Sequence, residues 1–186
     1  MMRKLIIFAL AAAGLAYLPD SNLSGSTLQR LSLSDMIQKS TMIVRGTIQP
    51  GNSAALRGSI IYTHYQLSVT TAYKGAPGPT IDLAVPGGAL NGFQQPVAGA
   101  PMLIPGQSYV MFLWTSKSGL TQVIGLSQGL FNVTTNAQGQ VIVSRGAASE
   151  PMLNSLGQSV TDSNFQMPLA QLVSDIQTVL AGGSIQ

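Results

Sequence analysis

The stretch IIYTHYQLSVTTAYKG, residues 60–75, alternates its side chains with a period of two along its whole length. Ile61, Thr63, Tyr65, Leu67, Val69 and Tyr73 fall on one face, while Tyr62, His64, Gln66, Ser68 and Thr70 fall on the other. A helix would scatter these residues around its axis, whereas a half-buried strand sorts them. Such a strand cannot stand alone, and the chain supplies partners. TMIVRGTIQ (41–49), TIDLAVP (80–86), QSYVMFLWT (107–115), LTQVIGLS (120–127) and GLFNVTT (129–135) are short, β-branched or aromatic runs. The last is predicted to form a hairpin through NAQG with QVIVSR (140–145).

No helical pattern separates these runs, so no crossover helix is available to build a parallel sheet. The expected fold is mainly β, an antiparallel OB-like barrel or sandwich. Two helices flank it. SLSDMIQKS (32–40) offers Ser32 or Ser34 as N-cap of a short N-terminal helix. Near the end, Leu169, Leu172, Val173, Ile176, Val179 and Leu180 keep helical spacing in a C-terminal amphipathic helix, with Pro168 at the first helical position and Gly182 at the stop. The expected organisation is a signal peptide (1–16), a flexible N-terminal segment (17–31), a β-barrel domain (32–145) and a polar connection (146–166). The C-terminal helix (167–182) completes it. GNSAALRG (51–58) reads as a loop, and residues 86–106 as a long Gly/Pro loop.

Arg3 and Lys4 precede an apolar run from Leu5 to Leu18, with small residues at Gly14 and Ala16. This is the layout of a secretory signal peptide, and the run falls short of the ~20 residues needed to span a bilayer as a helix. The expectation is bacterial export to the periplasm or medium, with cleavage after Ala16 and membrane contact only through the signal segment. The chain has no cysteine. Disulfides, a lipid anchor and thiolate chemistry are therefore all ruled out. Of nine basic residues two lie in the signal, leaving seven against six acidic ones, about +1. That balance gives no electrostatic case for nucleic acid.

GLSQG (125–129) has the letters of a nucleophile elbow, G-x-S-x-G. A strand rather than a helix follows Ser127, and the single histidine, His64, precedes it. Other folds order the triad differently, and His64, Asp82, Ser127 has the chymotrypsin-like order His, Asp, Ser. The expected role of GLSQG is a glycine-flanked bend or bulge between strands, with no catalytic residue; a serine hydrolase using Ser127 and His64 is the alternative. PGGALNG lacks the lysine and hydroxyl of a phosphate loop. One histidine, no cysteine and scattered acids predict no metal site and no cofactor. Asp82 and Glu150 have nothing in the sequence to pair them as glycosidase carboxylates.

Residues 86–106 exceed the usual length of a structureless loop and carry Phe93, Val97, Met102 and Leu103. An ordered flap is expected, with the tip Asn91, Gly92, Phe93, Gln94 and Gln95 as the surface that meets a protein or cell-envelope partner. The alternative to such a binding domain is a purely structural envelope protein.

STMIVRGTI, IYTHYQLSVTTAYKG, IDLAVP and QSYVMFLW resemble the netrin-type module, the OB-like barrel found in tissue inhibitors of metalloproteinases. Tyr73, Lys74 and Gly75 match the end of its tyrosine-bearing strand, and Arg45 its basic position; the likeness covers residues 34 to 114. The chain is also similar to exported bacterial proteins of uncharacterised function with VPGG (Val85 to Gly88), PGAP-like (Ala98 to Pro101) and GLSQG (Gly125 to Gly129) segments. The resemblance implies a barrel and a protein-binding role. It does not imply protease inhibition, because those inhibitors hold the protease zinc through an N-terminal cysteine that this chain lacks.

Overall fold

The computed structural model describes residues 27–185. The expected signal segment lies outside them. The first described residues are held in place: β1 (Leu28–Gln29) pairs in parallel with a later strand, Met152–Leu153, so residues 27–31 are not the free segment that their composition suggested. α1 (Leu33–Lys39) follows, capped by Ser32 in a capping box with Asp35, whose carboxyl is pulled below the usual range chiefly by the Ser32 hydroxyl. An Asp35–Lys39 ion pair at 2.9 Å spans the next turn.

β2 (Met42–Arg57) and β3 (Ile60–Lys74) form one long hairpin. The segment 51–58, expected as a loop, is instead the distal part of β2, closed by a two-residue turn at Gly58 and Ser59. Pairing to Ile60–Tyr65 supplies the ladder that its small polar residues do not advertise. β4 (Thr80–Pro86) pairs antiparallel to β3. The Gly/Pro segment then makes a small hairpin of β5 (Gly88–Leu90) and β6 (Phe93–Gln95) before β7 (Ser108–Thr115) returns beside β2. Three meandering strands and a fourth lying beside the first make a Greek key.

β8 (Thr121–Val123) closes the circuit, antiparallel to β7 and parallel to β4 at Leu83 and Thr121. The result is a five-stranded OB-like barrel in the order β2, β3, β4, β8, β7. One junction is parallel where the pattern predicted antiparallel pairing throughout. Its interior is filled by Val44, Ile48, Leu67, Ile81, Leu83, Tyr109, Met111 and Leu113.

A second layer grows from the same strand. β9 (Leu130–Thr135) pairs with β7 at Tyr109 to Met111, and β10 (Val141–Arg145) pairs with β9 as the sequence predicted. β7 is thus buried on both faces: Val110 and Phe112 point into an outer core with Ile37, Ile43, Phe131, Val143, Leu172 and Ile176. Bulges in the β2–β3 ladder change the sides that residues face, which places Tyr73 against this outer core although Leu67 and Val69 pack in the barrel. The Lys74 ammonium reaches the end of α1 and donates to the carbonyls of Ile37 at 2.7 Å and Gln38 at 2.9 Å. Burial there pushes it below the usual lysine range.

The polar connection 146–166 is also more ordered than its composition predicts. β11 (Met152–Leu153) and β12 (Ser159–Val160) form a hairpin, and β13 (Phe165–Pro168) extends the outer sheet along β10. The turns NAQGQ (136–140) and NSLGQ (154–158) are built alike. In each the asparagine carbonyl accepts two backbone N–H groups, and the glycine has φ near +75° (77° and 74°). Asp162, its side chain 2% exposed, ties the connection down: its carboxylate takes the two terminal nitrogens of the Arg145 guanidinium and the Ala148 N–H. Burial pushes this carboxyl up, but those donors and the Ser163 N–H outweigh it and bring the pKa to about 2.

α2 (Leu169–Leu180) lays Leu172, Ile176 and Val179 on the outer core, while Leu180 faces solvent. Pro168 ends β13 and precedes the helix as its N-cap, one position earlier than the sequence suggested. Gly182, at φ 86°, follows its end. Among the described residues no helix is long and apolar enough to cross a membrane.

Candidate functional site

The Gly/Pro segment is an ordered flap at one end of the barrel. Its hairpin turns at Asn91 and Gly92, both in the left-handed region at φ 51° and 82°, which is the asparagine-glycine geometry that matches strand twist. Phe93, directly after the turn, is 76% exposed. Asn91, Gly92 and Gln94 are exposed with it. Gln95 differs from the expectation that the whole tip is free. Its amide accepts from the Ile61 N–H at 2.6 Å and donates to the Ser59 carbonyl at 3.0 Å, so both polar ends fasten the hairpin to the start of β3.

Two further bonds complete the anchor. Gly87 donates to the Ile61 carbonyl at 2.7 Å, and the Thr63 hydroxyl donates to the Gly87 carbonyl at 2.8 Å. Gly88 passes so close to Thr63 that a Cβ would sit 2.2 Å from its hydroxyl oxygen, at a φ of 136° that side chains rarely adopt. The flap's return limb enters the barrel through Leu103, which is buried, while Met102 is 80% exposed and Val97 half-buried. Between hairpin, limb and strands runs a groove of about 310 Å³ whose walls include Thr63, Tyr65, Val85, Pro86, Val97 and Met102.

The second candidate centre divides. His64 and Asp82, on adjacent strands, do meet: the His64 Nδ1–H donates to the Asp82 carboxylate at 2.8 Å, and the Gln66 amide donates to its other oxygen at 3.1 Å. A carboxylate only accepts, so the contact puts a proton on Nδ1 and sets the orientation of the ring. Ser127 is not bonded to this pair. It lies in the turn that leaves β8, and its neighbour Gln128 reaches the N-terminal segment. The serine directly across the ladder from His64 is Ser53, on β2.

GLSQG is the bend that lets one edge of β7 pair first with β9 and then with β8. Ile124 donates to the Phe112 carbonyl and Phe112 donates to the Gly129 carbonyl, both at 2.9 Å, so the loop's two feet satisfy one residue of β7. Between them Gly125 and Leu126 are both left-handed, at φ 61° and 59°. A Cβ on Gly129 would lie 2.8 Å from the Ile124 side chain and 3.0 Å from the Phe112 carbonyl. The residue that sequence reasoning passed over is Gln128, 1% exposed. Its amide accepts from the Leu31 N–H at 2.8 Å and donates to the carbonyls of Gln29 at 3.0 Å and Gly125 at 3.3 Å. Its signal was a lone amide inside a glycine bend, the one side chain there that is long enough to reach another segment and can both donate and accept.

Among the described residues no cluster of three or more histidine or acidic side chains forms a metal centre. Comparison with protein-family models, with curated proteins and with solved structures found no match.

Proposed function

We propose that this chain is an exported, non-catalytic binding domain that meets a protein or other cell-envelope partner through the tip of the β5–β6 hairpin. The observation that carries this reading is Phe93, an aromatic side chain 76% exposed on a hairpin whose base is locked by Gln95 and Thr63. A rigid aromatic anchor loses little freedom on binding, which is how a small surface gains affinity. The resemblance to netrin-type modules supports a protein partner as well, although their zinc-directed mechanism has no counterpart here. No cofactor is part of this reading.

The test uses immobilised domain and the envelope fraction of the native cell. Phe93→Ala, or replacement of residues 89–94 by a Gly/Ser turn that keeps Gln95, is expected to lower capture at least about tenfold, the loss typical of an aromatic hot spot. The thermal midpoint should stay within a few degrees. Undiminished capture by both variants rejects the tip as the contact.

The oriented His64 imidazole is the one observation that favours the rival hydrolase reading. A fluorophosphonate probe discriminates: under the binding reading it labels no serine. Labelling of Ser127 or Ser53 that disappears in His64→Ala would install the hydrolase instead.

A further inference from the structure

Independently of any loop-borne partner, we propose that two copies of this chain pair edge to edge through β2 between Asn52 and Leu56, joining their hairpins into one continuous antiparallel sheet across a twofold axis.

The argument starts from the backbone. β7 covers the edge of β2 only as far as Thr47, and Gly106 and Gln107 satisfy Ile48. Beyond that point the backbone of Asn52 to Arg57 is paired with β3 alone, while the Arg57 guanidinium donates to the Ser118 carbonyl at 3.2 Å. The direction of their polar groups follows from one hydrogen bond. Because Gly87 donates to the Ile61 carbonyl, Ile61 turns its backbone groups away from β2, and Leu56, directly opposite, turns its own away from β3. Alternation gives Ala54 and Asn52 the same outward direction. Three N–H and three C=O groups therefore stand in a row on an open edge, with no partner among the described residues.

The protections that usually blunt such an edge are missing. No charged residue occurs between Gly46 and Leu56, while Pro50 and the bulge lie outside the row rather than within it. Leu56, 58% exposed, stands at its end.

One register uses the whole row. With the axis at Ala54, that residue faces its own copy, and Asn52 faces Leu56 in both directions, so every outward N–H meets an outward C=O. Moving the axis to Ser53 sets Leu56 opposite Pro50, which has no N–H. Moving it to Ala55 sets Asn52 opposite Gly58, in the turn. In the favoured register Arg57 lies opposite Gly51, so like charges do not meet. A foreign strand is the weaker occupant: Ser53, Ala54 and Ala55 form no pockets that could select its side chains, which is where strand addition gets its specificity. The row is complementary to itself.

The same register places Ser53 of each copy opposite Ala55 of the other, in the closer kind of antiparallel pair, with Cα atoms about 4.5 Å apart. That spacing accommodates a disulfide, and the protein has no cysteine to confuse the readout. Sedimentation equilibrium of the protein should show a dimer. Ser53→Lys with Ala55→Lys sets lysine against lysine at two exposed positions and should weaken association at least about tenfold. Ser53→Lys with Ala55→Glu should restore it. Mild oxidation should convert Ser53→Cys/Ala55→Cys into a covalent dimer, whereas each single cysteine variant should remain largely uncrosslinked. A monomer at every concentration that fails to crosslink overturns the proposal, as does a dimer indifferent to the paired lysines in a variant whose far-UV spectrum is unchanged. If the lysine variant fails to fold, the cysteine series decides alone.

Discussion

Replacing Gln128 with alanine is expected to cost more than any change to Ser127, the residue to which the motif draws attention. The substitution strips the Leu31 N–H and the carbonyls of Gln29 and Gly125 of their shared partner. A dry, unsatisfied backbone group costs ~1–3 kcal/mol. The side chain removed leaves room for water, so the lower end applies to each group and the total is about 3 kcal/mol. For a domain of this size that lowers the thermal midpoint by about 6–12 °C. Ser127→Ala removes a half-exposed hydroxyl with no hydrogen bond among the described side chains and should stay within about 0.5 kcal/mol. Gln128→Glu sharpens the test, because it keeps an acceptor for Leu31 but turns a carboxylate toward two carbonyl oxygens. The folded state must raise that group's pKa above its unfolded value of about 4.3. Its cost is therefore full at neutral pH and shrinks as pH falls toward and below that value. Thermal melts of the three variants from pH 7 to pH 4 measure this. A Gln128→Ala protein within about 1 kcal/mol of the parent, or a Ser127→Ala protein as unstable as it, would refute the role assigned to the amide.

Asp162→Ala should destabilise by about 3–5 kcal/mol at pH 7, since it strands the buried Arg145 guanidinium. The folded pKa of Asp162 is depressed to about 2, so its contribution is present above the unfolded value near 3.9 and lost as pH falls from about 4 toward 2. Acid titrations of parent and Asp162→Asn should converge in that window. Leu103→Ala should cost about 2–5 kcal/mol by urea titration, because it empties a place in the barrel, while Met102→Ala should stay within about 0.5 kcal/mol. Gly88→Ala should free the hairpin from Thr63, seen as faster hydrogen exchange at Ile61 and Gly87 with β7 unaffected; unchanged exchange at those amides would show that the strand accommodates the methyl group.

What the sequence disclosed and withheld follows from how local each signal is. β3, β7, the β9–β10 hairpin and both helices carry their own periodicity, and all were legible. The distal part of β2 was not, because GNSAALR has turn-like composition and is a strand only by virtue of β3 beside it. Its cue was the Gly58-Ser59 pair placed to make a tight turn. Asn91-Gly92 is an ordinary hairpin signal, overlooked inside a stretch dominated by glycine and proline. NSLGQ repeats the pattern of NAQGQ, and reading the first turn as a hairpin licensed the second. The parallel pairings of β1 with β11 and β4 with β8 join residues far apart in the chain, and no local pattern encodes them. At the candidate site, the exposed tip was readable from composition. The fastening of Gln95, the meeting of His64 with Asp82 and the isolation of Ser127 from both depend on strand register, which emerges only on assembly.

β7 belongs to the barrel through Tyr109, Met111 and Leu113 and to the outer layer through Val110 and Phe112. Neither layer can melt and leave the other intact, because the strand that must let go of one is the wall of the other. The protein should therefore unfold in a single cooperative step, and the amides of Val110 to Phe112 should exchange with solvent only through global opening. Folding bears the corresponding burden. The chain must bring β7 back across the flap to β2 before either core can close, so the slowest event is the closure of that long loop and not the formation of any hairpin along the way.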